Sequence, residues 1–262
     1  MSTTSTLEHH HKCLVGLLED KADTKTADWF TNYLKGEIKY RGLKTGMLKA
    51  ILTDFFHKTG LNEFEEFEQL GHIQYWLSKP MAEDKLTAIL WLQIIVKSKL
   101  KRGSNNSDLS NVISLIESAF ENGHIHDWST NDWLCVRVLE LIPEKAPALV
   151  PRIESWIESE SVWQRRSAIL AFKKSSKQGN YHLNIEQLID KALPSEERFV
   201  QTGIGWVLAD ASRNYPKWSD SLFEKYFDLL TKEVITRHTK HLPNHGDYKI
   251  RAKQKSLILF QR

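Results

Sequence analysis

The sequence predicts an all-α protein, a curved α-solenoid of HEAT-like antiparallel helix pairs, and three observations predict it. Helix breakers are scarce: Gly 12 and Pro 7 in 262 residues fall well under average usage. No segment alternates apolar and polar residues as a half-buried strand requires. Amphipathic stretches of helical period follow one another across short gaps, in pairs that recur every ~35–45 residues, the period of HEAT or armadillo arrays. Stacked pairs of that kind build a superhelix whose inner face can line an extended ligand. A compact helical bundle is the alternative arrangement of the same segments.

Taken in order, the segments fall at 7–20, 26–38, 46–58, 63–77, 82–99, 108–121, 129–142, 147–159, 161–176, 184–193, 196–214 and 217–235. Asp108 precedes Leu109, Val112, Ile113 and Ile116 and suits an N-cap, and Gly123 suits the stop. Pro143 closes one helix after Ile142, while Pro151 falls in the first turns of the next, where proline is least disruptive. Pro194-Ser195-Glu196-Glu197 brings acidic residues to the positive end of another. The stretch 103-GSNNSD-108 reads as a loop and no linker divides the chain, so 1–242 is expected to be one domain. The tail 243–262 is either a frayed end or a capping helix.

Composition excludes several classes. No apolar run approaches the roughly 20 residues of a membrane span, and the N-terminus has no basic region followed by an apolar core, so neither membrane nor signal peptide is expected. His9, His10 and His11 read as a solvated helix start. Cys13 and Cys135 sit among apolar neighbours and read as buried free thiols in a reducing cytoplasm. A formal net charge of +3 is too mild to announce a nucleic-acid binder, so the distribution of charge has to make that case. No P-loop, zinc spacing, GxSxG or Cys–His signature occurs, so no metal and no cofactor are expected.

Four stretches concentrate aromatic and basic residues. The first, 33-YLKGEIKYRGLKTGMLKAIL-52, carries Tyr33, Lys35, Lys39, Tyr40, Arg41 and Lys44. In the second, 126-HDWSTNDWLCVRVL-139, Trp128 and Asp132 share a helix face, and Trp133 lies about 100° round among Leu134, Val136 and Leu139. Asp132 reads either as an acid at a helix start or as a carboxylate held against an aromatic wall. In the third, 162-VWQRRSAILAFKK-174, Arg166 lies one turn from Trp163. In the fourth, 198-RFVQTGIGWVLADASRNYP-216, Gly203 and Gly205 interrupt a helical pattern just before Trp206. Mid-helix glycine costs about 1 kcal/mol relative to alanine, so each marks close approach by a helix or a ligand. A further basic run, 97-KSKLKR-102, can rim a groove for phosphates. Interleaved rings and cations suit nucleic acid, because cations position phosphates and flat rings meet sugars and bases. The residues by themselves describe a helical-repeat interaction protein with a nucleic-acid face.

At these stretches the sequence resembles the AlkD-like DNA glycosylases, a family of HEAT-like-repeat alkylpurine DNA glycosylases. FVQTGIGWVLADASRNYP resembles the family's F-x-Q-x-x-I-G-W-x-L-R-E segment, VWQRRSAIL its W-x-x-R-x-A-I-L, and WSTND its W-D-x-V-D. YLKGEIKYRGLKTG resembles its early Y…G-[IV]-x-T segment. The four lie in order across residues 26–232. The resemblance implies a monomer acting on double-stranded DNA and cleaving N-glycosyl bonds of alkylated purines. Asp132 would be the catalytic carboxylate, Trp128 and Trp206 the rings beside the lesion, Arg166 a phosphate contact and Tyr33 part of the cleft. Such enzymes are thought to act without flipping the damaged base into a tight pocket. Four positions depart from the pattern. Lys44 replaces a glutamine, Arg198 replaces the first of two phenylalanines and so precedes Phe199, Ala209 replaces an arginine and Ser129 an aspartate. Two other readings fit the same face: a non-catalytic binder of branched or damaged DNA, and a protein-binding helical scaffold.

Overall fold

The computed structural model describes residues 4–102, 107–193 and 195–259, which form two compact units, Met1–Val138 and Leu139–Arg262. The first unit contains α1 (Thr4–Glu19), α2 (Thr24–Tyr33), α3 (Thr45–Thr59), α4 (Glu66–Leu77), α5 (Ala82–Lys101), α6 (Ser107–Glu121) and α7 (Trp128–Arg137). The second contains α8 (Val150–Glu154), α9 (Val162–Leu170), α10 (Lys173–Ser176), α11 (His182–Ala192), α12 (Arg198–Ala211), α13 (Pro216–Lys225), α14 (Lys232–His238) and α15 (His245–Leu259). Among the described residues no strand occurs beyond an isolated Lys39–Met81 bridge. The fold is all-α, of the α-solenoid class, as the breaker-poor sequence predicts.

Each unit has an apolar centre that explains its helices. In the first, α5 packs on α3, α4 and α7. Phe55 from α3, Trp76 from α4 and Trp91 from α5 are fully buried, with ring centroids 5.1 Å apart for Phe55–Trp76 and Trp76–Trp91. Such aromatic contacts add about 0.5–1.5 kcal/mol each beyond the area they bury. Trp91 keeps its polar end satisfied by donating Nε1–H to Gln69 at 3.0 Å. In the second, α12 packs on α9, α10 and α14 and buries Val200, Ile204, Val207 and Leu208.

The helix ends differ from the sequence reading where the backbone turns for local reasons. The 26–38 segment stops at Tyr33, because Lys35 takes a left-handed φ of 54°. The 129–142 segment breaks at Val138 into a 3-10 turn, Leu139–Leu141, and 147–159 is a short helix between two 3-10 turns. The 161–176 segment divides into α9 and α10, and 217–235 into α13 and α14, the latter capped by Thr231 Oγ1 on Val234 N. Gly123 is the predicted stop, with φ 66°. α6 starts at Ser107; the Asp108 side chain, most of the 103–108 loop and Pro194 lie outside the described residues. Two residue readings are corrected. Cys13 is exposed, while Cys135 is buried as expected. Of the three histidines only His9 is exposed as expected: His10 contacts the buried His72 at 3.0 Å and His11 lies 3.6 Å from Asp84, so both are half-buried rather than solvated.

Candidate functional site

In the first unit the site is built on the start of α7. Asp127, 1% exposed, caps that helix. Its Oδ1 accepts from Ser129 N at 2.8 Å and Thr130 N at 3.1 Å, and its carboxylate also takes both hydroxyls, of Ser129 and Thr130. The approach to the cap is fixed by Lys85, whose Nζ donates to His124 O at 2.8 Å and to Leu77 O. Burial pulls the Lys85 ammonium down to about 8, against the opposing pull of Asp127 and Asp84. With its first turn pinned, α7 presents Trp128 and Asp132 on one face, and both are half-buried.

Two ring contacts connect α2 to this face. Tyr33, 56% exposed, meets Trp128 edge-on at 5.4 Å and stacks on Trp29 at 4.9 Å. On the inner side Phe30 stacks on Tyr40 at 4.2 Å, and the Tyr40 hydroxyl hydrogen-bonds Ser129 Oγ at 3.1 Å. Burial pushes the Tyr40 phenol up to about 12, so it stays a hydroxyl. Ser129, where the family pattern has aspartate, is thus the joint between Tyr40 and Asp127. The loop before α3 is held by Glu83, whose carboxylate accepts from the backbone N–H groups of Arg41, Gly42 and Leu43 at 2.9, 2.9 and 3.1 Å. Arg41 itself pairs with Asp84 at 3.0 Å. Lys44 is exposed at the N-cap of α3, where the helix dipole adds to its charge and favours a phosphate. Leu134 joins the core, but Trp133 and Val136 are only half-buried, and the Trp133 ring lies 4.3 Å beneath the Arg137 guanidinium.

In the second unit Arg166 is 5% exposed and donates from Nη1 to Phe199 O and, at 3.1 Å, to Thr202 Oγ1. The two glycines of α12 answer to close approach. A Cβ on Gly203 would meet Arg166 Nη1 at 3.3 Å, and one on Gly205 would meet His238 Cδ2 at 2.5 Å. Phe199 packs on Trp163 at 4.7 Å. Arg198 is engaged bidentately by Glu233 at 2.6 and 2.7 Å, and Arg237 shares the same carboxylate. These guanidinium bonds, those of Arg198 first, hold Glu233 down at about 2.

Trp206 is half-buried with Lys173 Nζ 4.9 Å from its ring centroid. That ammonium, in a residue 8% exposed, pairs with Glu140 at 2.7 Å and Asp210 at 3.3 Å. Burial raises the Glu140 carboxyl, and Lys173 acts in the opposite direction. Sequence reasoning missed this cluster, since its members lie dozens of residues apart. It also missed Trp29, although an i, i+4 pair with Tyr33 was readable. Lys99, expected to line a phosphate groove, instead pairs with Glu66 at 2.5 Å.

The first-unit arrangement puts Asp132 on the same helix face as Trp128, whose ring meets the exposed Tyr33, a pairing of carboxylate and flat rings suited to stabilising a cation. Among the described residues no helix is long and apolar enough to cross a membrane, and no group of three or more His, Cys, Asp or Glu is placed to hold a metal. A solved structure from Enterococcus faecalis, described as a predicted DNA alkylation repair enzyme, is similar in fold. The match has a TM-score of 0.69 over 85% of this chain and 97% of that one, at 19% identity. No curated protein matches the sequence. The model of the DNA alkylation repair enzyme family matches residues 15–243, and the chain belongs to that family.

Proposed function

We propose that, within the DNA-repair role of its family, the chain is a monofunctional DNA glycosylase that hydrolyses the N-glycosyl bond of alkylated purines in double-stranded DNA. The observation that carries this reading is Asp132. It is a half-buried carboxylate one helical turn from Trp128, whose ring touches the exposed Tyr33.

Alkylation at N3 or N7 makes the purine cationic, so it is drawn to indole faces and leaves as a neutral base. As the bond from C1′ to the base nitrogen breaks, the bonding pair departs with the base and positive charge grows on the deoxyribose. Asp132 stabilises that oxocarbenium-like sugar and takes a proton from the water that adds to C1′, leaving an abasic site. In the first unit Trp128 is the ring beside the lesion and Tyr33 extends the wall; in the second unit Trp206 presents its ring to DNA. Lys44 meets backbone phosphate. Arg166, largely buried, acts at short range and supports the Phe199 segment as well as any phosphate. Arg198 reaches DNA by exchanging Glu233 for a phosphate.

The test is release of free base from methylated duplex DNA by the purified protein. Release of 3-methyladenine or 7-methylguanine, with one abasic site left per base, supports the reading. Salt-sensitive DNA binding with no release from any alkylated substrate replaces it with the non-catalytic DNA-binding one.

A further inference from the structure

Among the described residues Trp29 is the tryptophan left exposed, 57% of it open to water, while the others are buried or half-buried. Its helix, α2, buries none of its residues. The ring is nonetheless ordered by its neighbours: it stacks on Tyr33 with planes 16° apart and meets Phe30 edge-on at 5.0 Å. Trp29, Tyr33 and Trp128 therefore form a continuous run of rings, from open surface to the face that carries Asp132.

From this ledge we infer that Trp29 and Tyr33 form a stacking subsite for an unpaired nucleobase at or beside the lesion. The inference rests on the proposed DNA-repair site, which it extends by naming the state of DNA that the site engages. A large flat ring held open to solvent gains most from another flat partner. In a paired duplex each base face is already covered by its neighbours, so a free face belongs to a base that has left the stack. Stacking on aromatic side chains is indifferent to base identity, because every base has a π-face. Lys25, one turn before Trp29, and Lys35, just after Tyr33, are both exposed and can meet the flanking phosphates. Asp28 and Glu37 are exposed nearby, so the local charge is balanced and the ring faces, not net charge, supply the preference. The preference should accordingly persist at salt concentrations that weaken phosphate contacts.

The test compares dissociation constants for two undamaged duplexes, one fully paired and one with a single-base bulge, using the wild type and Trp29→Ala, Trp29→Leu and Trp29→Phe. Trp29 is exposed, and equal melting temperatures verify that the variants fold. The wild type should prefer the bulged duplex. Trp29→Ala and Trp29→Leu should lose roughly five- to a hundredfold on that duplex, the range of base–aromatic stacking, with little change on the paired one. Trp29→Phe, still flat, should keep most of the preference. Equal losses on both duplexes would mean that the ring presses on sugar or backbone, and no loss on either would mean that it does not touch DNA; each result overturns the inference. Because neither duplex is cleaved, these outcomes are independent of base release. A protein that prefers bulges but releases no base refutes the glycosylase reading alone, and one that releases base without the Trp29-dependent preference refutes the subsite alone.

Discussion

Lys173 illustrates how much a single side chain can organise around a candidate site ring. Its ammonium lies over Trp206 and between Glu140 and Asp210, in a setting where burying two carboxylates is costly unless each is paired. Removing one partner of a buried pair leaves the others uncompensated, so Lys173→Met should destabilise the protein by about 3 kcal/mol. Adding Glu140→Met should recover part of that loss, because the stranded carboxylate goes with it. Denaturant titration of the single and double variants checks the sign. A double variant less stable than Lys173→Met would show that Glu140 has a stabilising role independent of Lys173. Such a cluster is a poor source of net stability, so its place beside Trp206 is better explained as fixing the ring's orientation. The candidate residues were unequally legible at this scale. Trp128 and Asp132 are four apart on one helix, a spacing readable in any sequence. Glu140, Lys173 and Asp210 come from three elements and meet only after packing, so no local pattern could announce them.

At the scale of elements, α12 packs against α14 through one missing side chain. A Cβ on Gly205 would meet His238 Cδ2 at 2.5 Å and Val234 Cγ1 at 2.9 Å, whereas at Gly203 the nearest atom is Arg166 Nη1 at 3.3 Å, a contact a shift of a few tenths of an ångström relieves. Gly205→Ala should therefore cost about 1–3 kcal/mol, the usual range for overpacking. Gly203→Ala should cost clearly less, since the gain in helix propensity offsets a small adjustment. Paired thermal melts distinguish the two, and equal effects would contradict the packing account. His238 gives the same contact a pH dependence. Burial first, then the Arg237 and Arg166 charges, lowers its imidazole from 6.5 to about 4. Between those values the unfolded chain binds the proton that the folded one refuses, so stability falls as pH drops from 6.5 toward 4. Each pKa unit is worth about 1.4 kcal/mol, which sets the size of the loss at on the order of 3 kcal/mol. Melting temperatures at pH 7 and pH 4.5 should fall further for the wild type than for His238→Leu. Equal falls would mean that other groups carry the acid sensitivity. The helices themselves were visible as apolar periodicity, but their ends were not. The left-handed backbone at Lys35 ends α2, and the division of α13 from α14 leaves the apolar spacing almost unchanged.

For the whole molecule, the family match over residues 15–243 gives the repair role, and Asp132 is the residue on which the proposed chemistry turns. Two of the four departures from the family pattern have local partners here. In the first unit Ser129 bridges Tyr40 and Asp127 beside the Trp128–Asp132 face, and in the second unit Arg198 is tied to Glu233. The most direct measurement is single-turnover release of methylated purine by the wild type and Asp132→Asn, with DNA affinity measured in parallel. Removing a group that stabilises the transition state should lower the rate by at least about a hundredfold. Affinity for the damaged duplex should stay within a few-fold, since amide and carboxylate are nearly isosteric. A variant that releases base as fast as the wild type would contradict the assignment of Asp132 as the catalytic carboxylate.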